Sequence, residues 1–176
     1  MSRTPWSELG FVRPKSYVAT IAGGVAFGAA FKLLMKTVVM PLLGAPAVNS
    51  PFHYLAGNTA ALPFALLMVI FGAGVAEEVV FRSYLFERLG KLLGPGTGAK
   101  TAIVILTSAV FSATHYQVQG WAGVEQAAIT GLAFGTMYAV TGRIWAVMCA
   151  HAAFDIVAVA IIYFDVEAPL AHRFFS

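Results

Sequence analysis

The chain has 176 residues, 59% of them hydrophobic and only 11% charged, with a mean hydropathy of +0.79, where a soluble domain carries roughly 25% charge. A water-soluble fold of this length could not hide so much apolar surface. The formal net charge of +3 comes from scattered Lys and Arg rather than a basic stripe, which gives nucleic-acid binding no support.

Residues 1–16 form a polar amino-terminal segment. Its first ten residues are polar, and Arg13 and Lys15 precede a long apolar run without a cleavage site, so that run reads as a retained first span rather than a secretory signal. Five spanning helices are predicted on the ~20-residue rule, giving an all-α, polytopic integral membrane protein. The first runs from about Tyr17 to Lys36, with Lys32 and Lys36 on one face near its far end, expected to snorkel to the interface. Pro41, Pro46 and Pro51 then break up a loop ending near Asn58, so that residues 17–58 make one unit of span and loop.

The second span begins near Thr59, carries no charge as far as Ala76, then meets Glu77-Glu78-Val79-Val80-Phe81-Arg82 and continues towards Leu93. Beyond Arg82, Leu85, Leu89 and Leu92 alternate with Glu87, Arg88 and Lys91, the pattern of an amphipathic helix on the membrane surface. Gly94-Pro95-Gly96 ends it. Further spans are predicted near residues 101–116, 124–140 and 144–164, leaving 165–176 as a tail; both termini are candidates for disorder. Cys149, the single cysteine, lies in the last apolar run, excludes a disulfide or CxxC framework, and reads as a small packing residue. With the amino terminus inside, Arg3, Arg13, Lys15, Arg88, Lys91, Lys100 and Arg143 fall on that side, and Lys32, Lys36 and Arg173 opposite. This favours a cytoplasmic amino terminus in a plasma (inner) membrane.

Ionisable groups inside apolar helices need a partner or a job. Besides the Glu77 cluster, the third span ends in Phe111-Ser112-Ala113-Thr114-His115 and the fifth contains His151-Ala152-Ala153-Phe154-Asp155. Spacing of four puts His151 and Asp155 on one helix face. At 1.5 Å per residue from the nearest inner basic residue, Glu77, His115 and His151 lie roughly 16, 22 and 12 Å deep, overlapping within a ~30 Å layer. Taken singly, each has a structural explanation. Glu78 and Arg82, four apart, read as a buried ion pair, with Glu77 turned about 100° away towards a different neighbour. His115 alone could be an interfacial histidine, and His151 with Asp155 a helix-packing pair. Together they point to one shared polar cavity, because each buried polar group must find a partner.

Glu77-Glu78-x-x-x-Arg82, Phe111-x-x-x-His115 and His151-x-x-x-Asp155, in that order, resemble the motifs of the CPBP family, the intramembrane proteases related to the CAAX prenyl endopeptidase Rce1 and also labelled Abi proteins. Gly131-Leu132-Ala133-Phe134-Gly135 resembles the small-residue segment before the last motif and suits a close GxxxG helix contact. The resemblance covers about residues 62–163, within a core of residues 59–164. It implies hydrolysis of a peptide bond within the membrane, on a peptide or lipidated protein substrate, in CAAX-type or bacteriocin-related processing. On the family pattern Glu77 is the general base, His115 holds and polarises the water, His151 and Asp155 stabilise the oxyanion, and Glu78 and Arg82 support the geometry. A carboxylate in a low-dielectric cavity is a stronger base than in water, which suits that role.

Asp155 departs from the family, which often has Asn at this position: an amide donates to an oxyanion, whereas an ionised carboxylate only accepts. Asp155 could be protonated, could orient His151, or could join Glu77, His115 and His151 as a ligand of Zn²⁺. The HExxH helix of a strong zinc site is absent, which leans towards a metal-independent mechanism. Two other classes remain open: a non-catalytic scaffold or immunity protein of the same fold, and an ion-coupled transporter, for which neither broken helices nor a repeat is visible in the sequence.

Overall fold

A computed structural model describes residues 4–175. All regular structure among them is helical. Helix α1 runs from Tyr17 to Leu42 and α2 from Leu62 to Leu93. They are followed by α3 (Thr97–Thr114), α4 (Tyr116–Thr141), α5 (Ile144–Tyr163) and the short α6 (Glu167–Ala171). A 3₁₀ turn at Ser50–Leu55 lies in the loop between α1 and α2.

Among the described residues four helices, α1, α2, α3 and α5, are long and apolar enough to cross a membrane. The predicted fourth span is present as α4 but falls short on composition, and its position explains why. Gln119, Gln126 and Thr130 of α4 face an internal cavity rather than lipid, so the helix carries polar residues where a lipid-facing helix would not. It nevertheless runs antiparallel to α3, with Gly131 against Ser108 and Gly135 against Val104. That contact is the close approach which Gly131-x-x-x-Gly135 predicts. At Gly120 the backbone leaves helical geometry, with φ at 61°, a conformation natural to glycine.

Helix α2 has 32 residues, about 48 Å at 1.5 Å per residue and longer than a ~30 Å hydrocarbon layer. Its middle is wound as π-helix over Met68–Glu77 and Val79–Tyr84, a geometry associated with functional sites. The amphipathic end, Leu85–Leu93, continues α2 directly. There Phe86 and Leu89 join the core while Leu92 is exposed.

Helix α5 is the axis of the bundle, and glycines let its neighbours reach it. A Cβ on Gly28 of α1 would stand 1.9 Å from the Ala150 carbonyl oxygen of α5, and one on Gly24 2.7 Å from that of Ala146. On another side of α5, a Cβ on Gly74 of α2 would stand 2.7 Å from the Ala152 Cβ. Such small-residue seams replace the hydrophobic effect as the means of association in lipid.

Three expectations need correction. Lys32 does not snorkel: it is 7% exposed, its Nζ donates to Gln126 Oε1 at 3.0 Å, and it stands 4.7 Å from the centre of the Phe154 ring. Lys36 also turns inward, donating to the Ala47 carbonyl at 2.5 Å and lying 3.9 Å from Glu167 Oε1. With partners inside the protein, neither ammonium needs the interface. Segments of both termini are held against the bundle as well, while residues 172–175 are exposed; residues 1–3 (including Arg3, counted for orientation) and 176 lie outside the described range. Ser83 Oγ donates to the Leu9 carbonyl at 2.6 Å and the Ile144 amide to that of Gly10 at 3.0 Å. At the other end Glu167, 1% exposed, accepts from the Asn49 amide at 2.8 Å and lies 3.1 Å from His53 Nδ1, tying α6 to the proline-rich loop.

The seam between α1 and α5 gives a direct test. Gly28→Ala must push two helix backbones apart and is expected to destabilise the protein by about 1–3 kcal/mol. Gly23→Ala, where nothing lies within 4 Å of the new Cβ, is expected to stay within about 0.5 kcal/mol of the parent. Unfolding in detergent, followed by circular dichroism, measures both.

Candidate active site

Glu77, His115, His151 and Asp155 line one cavity of about 510 Å³, bounded by α1, α2, α3, α4, α5 and the 3₁₀ turn. Each enters from a position fixed by local structure. His115 closes the last turn of α3, where its amide donates to the Ser112 carbonyl at 3.0 Å. His151 and Asp155 lie one turn apart on α5, and Glu77 ends the first π-helical stretch of α2.

Behind the cavity wall Glu78 is 0% and Arg82 1% exposed. Arg82 Nη1 donates to Glu78 Oε1 at 2.9 Å, the buried ion pair that the spacing suggests. The guanidinium also stands 4.5 Å from the centre of the Phe111 ring and 5.9 Å from that of Phe134, and Nη2 donates to the Gly131 carbonyl at 3.4 Å. Aromatic faces and a carbonyl thus take up a charge that would otherwise be expensive to bury.

The same Glu78 oxygen lies 2.6 Å from His151 Nδ1. A carboxylate oxygen accepts, so Nδ1 carries the hydrogen, and Nε2 is left facing the cavity. On that edge Asp155 Oδ2 stands at 3.5 Å and Glu77 Oε2 at 3.9 Å. Glu77 and Glu78 therefore do not face separate neighbours. They approach one imidazole from opposite edges, because the ring carries its nitrogens on both. Glu78, not Asp155, makes the short contact that orients His151.

At His115, Nδ1 lies 2.9 Å from the Phe111 carbonyl oxygen. A carbonyl only accepts, so this nitrogen holds the hydrogen and Nε2 keeps its lone pair. Phe111 packs its ring edge-on against His115, with centroids 4.7 Å apart, and at 6.0 Å against His151. It is a common wall for Arg82 and both imidazoles.

Glu77 Oε2 is buried and makes no hydrogen bond among the described residues. A carboxylate oxygen held in a cavity without a donor is ready to accept a proton from a bound molecule. A tetrahedral zinc centre fits less well: among the described residues no group of three or more His, Cys, Asp or Glu is placed to hold a metal ion. The residues that sequence reasoning missed are Lys32 and Gln126, which line the same cavity. The only signal for Lys32 was a lysine late in an apolar span, which reads equally well as an interfacial anchor.

The fold and this cavity define a polytopic membrane protein with a carboxylate–imidazole site enclosed by its helices. A family model described as type II CAAX prenyl endopeptidase, Rce1-like, matches residues 59–157. That is more than half of the chain, and the protein belongs to the Rce1-like family, at the level of CAAX-type intramembrane proteases. No curated protein and no solved structure gives a significant match.

The Glu78–Arg82 pair carries a stability prediction. Glu78→Ala leaves a buried guanidinium uncompensated and is expected to destabilise the protein by about 3–5 kcal/mol, whereas the double change Glu78→Met/Arg82→Leu is expected to recover a large part of that loss. Urea unfolding in mixed micelles, comparing the two variants with the parent, measures the difference.

Proposed function

We propose that this protein is an endopeptidase that cleaves a peptide bond inside the membrane through a water activated by Glu77, without a metal. The observation that carries this reading is the buried Glu77 Oε2, without a hydrogen bond among the described residues, beside the cavity-facing edge of His151. In this mechanism Glu77 takes a proton from water while the water oxygen bonds to the scissile carbonyl carbon. His115 Nε2, with its lone pair free, accepts the water's other hydrogen and holds the molecule for attack.

The negative charge moves to the former carbonyl oxygen, where a donor stabilises it. A protonated His151 supplies Nε2–H from the cavity edge, while its Nδ1–H stays on Glu78. Asp155, 3.5 Å from that nitrogen, favours the protonated ring through its charge. Collapse of the intermediate breaks the carbon–nitrogen bond, and the proton held by Glu77 passes to the departing amine. Atoms and charge balance with no further reactant. Glu78 and Arg82 act on the reaction only by fixing His151.

The substrate class is a peptide or lipidated protein reaching the cavity from the membrane, in CAAX-type or bacteriocin-related processing. The excess of basic residues on one side supports an amino terminus on the cytoplasmic side of a plasma (inner) membrane.

Cleavage of a quenched fluorescent lipopeptide by the purified protein in detergent tests the assignment. Glu77→Gln keeps the shape but removes the base and is expected to lower kcat about 10²–10⁴-fold. His115→Ala is expected to fall within the same range, and activity to persist after treatment with a chelator. Cleavage of equal rate in Glu77→Gln and the parent, with the fold intact, would leave the scaffold reading in its place.

A further inference from the structure

The cavity of about 510 Å³ and a smaller one of about 140 Å³ beside it both lie in the half of the bundle next to the loop between α1 and α2. The up-and-down course of the chain brings the starts of α1, α3 and α5 and the ends of α2 and α4 to the opposite face, which carries the amino-terminal segment. Ser83 and Ile144 hold that segment there. Among the described residues, the side chains of the larger cavity nearest this face are Lys32, Glu77, Phe111, Thr130 and His151, one from each long helix. Beyond them the helices close on buried Phe86, Val104, Phe134, Tyr138 and Val147. In the other direction the wall changes character. Asn49, Phe52 and Leu55 come from the loop, and Tyr54, Phe64 and Met68 line the cavity while being more than half exposed on the outside of the bundle. The site is therefore floored towards the amino-terminal face and opens towards the loop face, past an apolar rim.

Basic residues distinguish the two faces. Arg13, Lys15, Arg88, Lys91, Lys100 and Arg143 gather at the closed face, whereas at the loop face Lys32 and Lys36 turn into the protein and only Arg173, among the described residues, is left outside. Such an excess is the mark of a cytoplasmic face. Exposed Tyr116 and Trp121 stack at the start of α4, where interfacial aromatics belong, and put the membrane boundary of the loop face close to the mouth of the cavity. We infer that the site takes its substrate from the exoplasmic face only: an exported peptide or protein whose apolar segment enters between the 3₁₀ turn and the start of α2 and packs on Tyr54, Phe64 and Met68. The inference rests on the endopeptidase reading for what the substrate is, and adds the side from which it comes and the side chains it meets first. The rim has no charged side chain, so an apolar segment crosses it without the desolvation penalty that a charged one incurs. A substrate held on the cytoplasmic surface, lipidated or not, meets the closed face.

The test measures access and binding separately from turnover. In spheroplasts of a bacterial host, with Cys149→Ala removing the native thiol, single cysteines are challenged with a sulfonated maleimide that does not cross the membrane, before and after permeabilisation. Lys15→Cys reports the closed face, Leu43→Cys the loop face, and Ala73→Cys and Gln119→Cys the cavity. The loop and cavity cysteines are expected to label in sealed spheroplasts, and labelling of Lys15→Cys to rise at least tenfold on permeabilisation. Labelling of Lys15→Cys in sealed spheroplasts overturns the inference, as do cavity cysteines that both follow Lys15→Cys or both stay unlabelled throughout. For the rim, the Glu77→Gln protein in detergent is titrated into a fluorescein-labelled apolar octapeptide, and anisotropy gives Kd. Adding Tyr54→Ala or Phe64→Ala is expected to raise Kd at least fivefold, with Phe64→Leu keeping it within twofold. Phe71→Ala, exposed on the same helix but outside the cavity, is also expected to stay within twofold. Failure of the octapeptide to bind, or a Kd unchanged in both alanine variants, overturns the role of the rim. If labelling and binding hold but the parent protein cleaves neither the octapeptide nor the lipopeptide, the endopeptidase reading fails and the access route stands. Cleavage of the lipopeptide with cavity cysteines that label only after permeabilisation leaves the enzyme and removes the route.

Discussion

Glu78 is a carboxylate with no solvent access in a chain that is mostly apolar, and the arrangement of the side chains around the cavity depends on how its charge is met. One of its oxygens accepts from Arg82 on its own helix and from His151 on α5. The first contact is local and follows from a spacing of four residues. The second is tertiary and locks α2 to α5 at the level of the cavity. A buried ion pair by itself is weak evidence for stability. Here it is also a positioning device: it fixes which edge of the His151 ring looks into the cavity, and thereby where Glu77 and Asp155 meet it.

That contact forms only because the backbones come close. Gly74 meets Ala152, the residue next to His151, while Gly24 and Gly28 seat α1 against Ala146 and Ala150 on another side of α5. A larger residue at Gly74 would push α2 from α5 and lengthen the Glu78–His151 contact, and one at Gly24 or Gly28 would push α1, which lines the cavity with Lys32, away from α5. The glycines of α1 and α2 therefore act on the site without touching it. The aromatic wall has a similar function, since Phe111 shields Arg82 while packing against both histidines.

The membrane class, the helices and the four residues that share the cavity were legible in the sequence, because charge is so scarce in it that each polar residue in an apolar run stands out. The ion pair was legible because helix geometry is local. Other features were not. Whether Lys32 reaches outward or inward depends on Gln126, 94 positions later, and no local pattern encodes that. The π-helical winding of α2 departs from the 3.6-residue period on which the 100° separation of Glu77 and Glu78 rests. The polar residues of α4 lower its hydropathy because they line a cavity, so a composition rule written for lipid-facing helices undervalues it.

The role of Asp155 is the point at which geometry narrows the alternatives most. From spacing alone it was a natural candidate to orient His151, since a carboxylate one turn away is within reach. Orientation needs a short, directional contact with the nitrogen that carries the hydrogen, and Glu78 supplies one at 2.6 Å. Asp155 lies instead on the other nitrogen's side at 3.5 Å, beyond the usual range of an N–H···O hydrogen bond. It is therefore free of the orienting task and shares with Glu77 the cavity-facing edge of His151. In the proposed mechanism two acids flank one cationic donor, and both cannot act as bases at once without repelling each other. In the proposed mechanism Glu77, whose Oε2 makes no hydrogen bond among the described residues, takes the proton, and Asp155 is left beside the His151 ring.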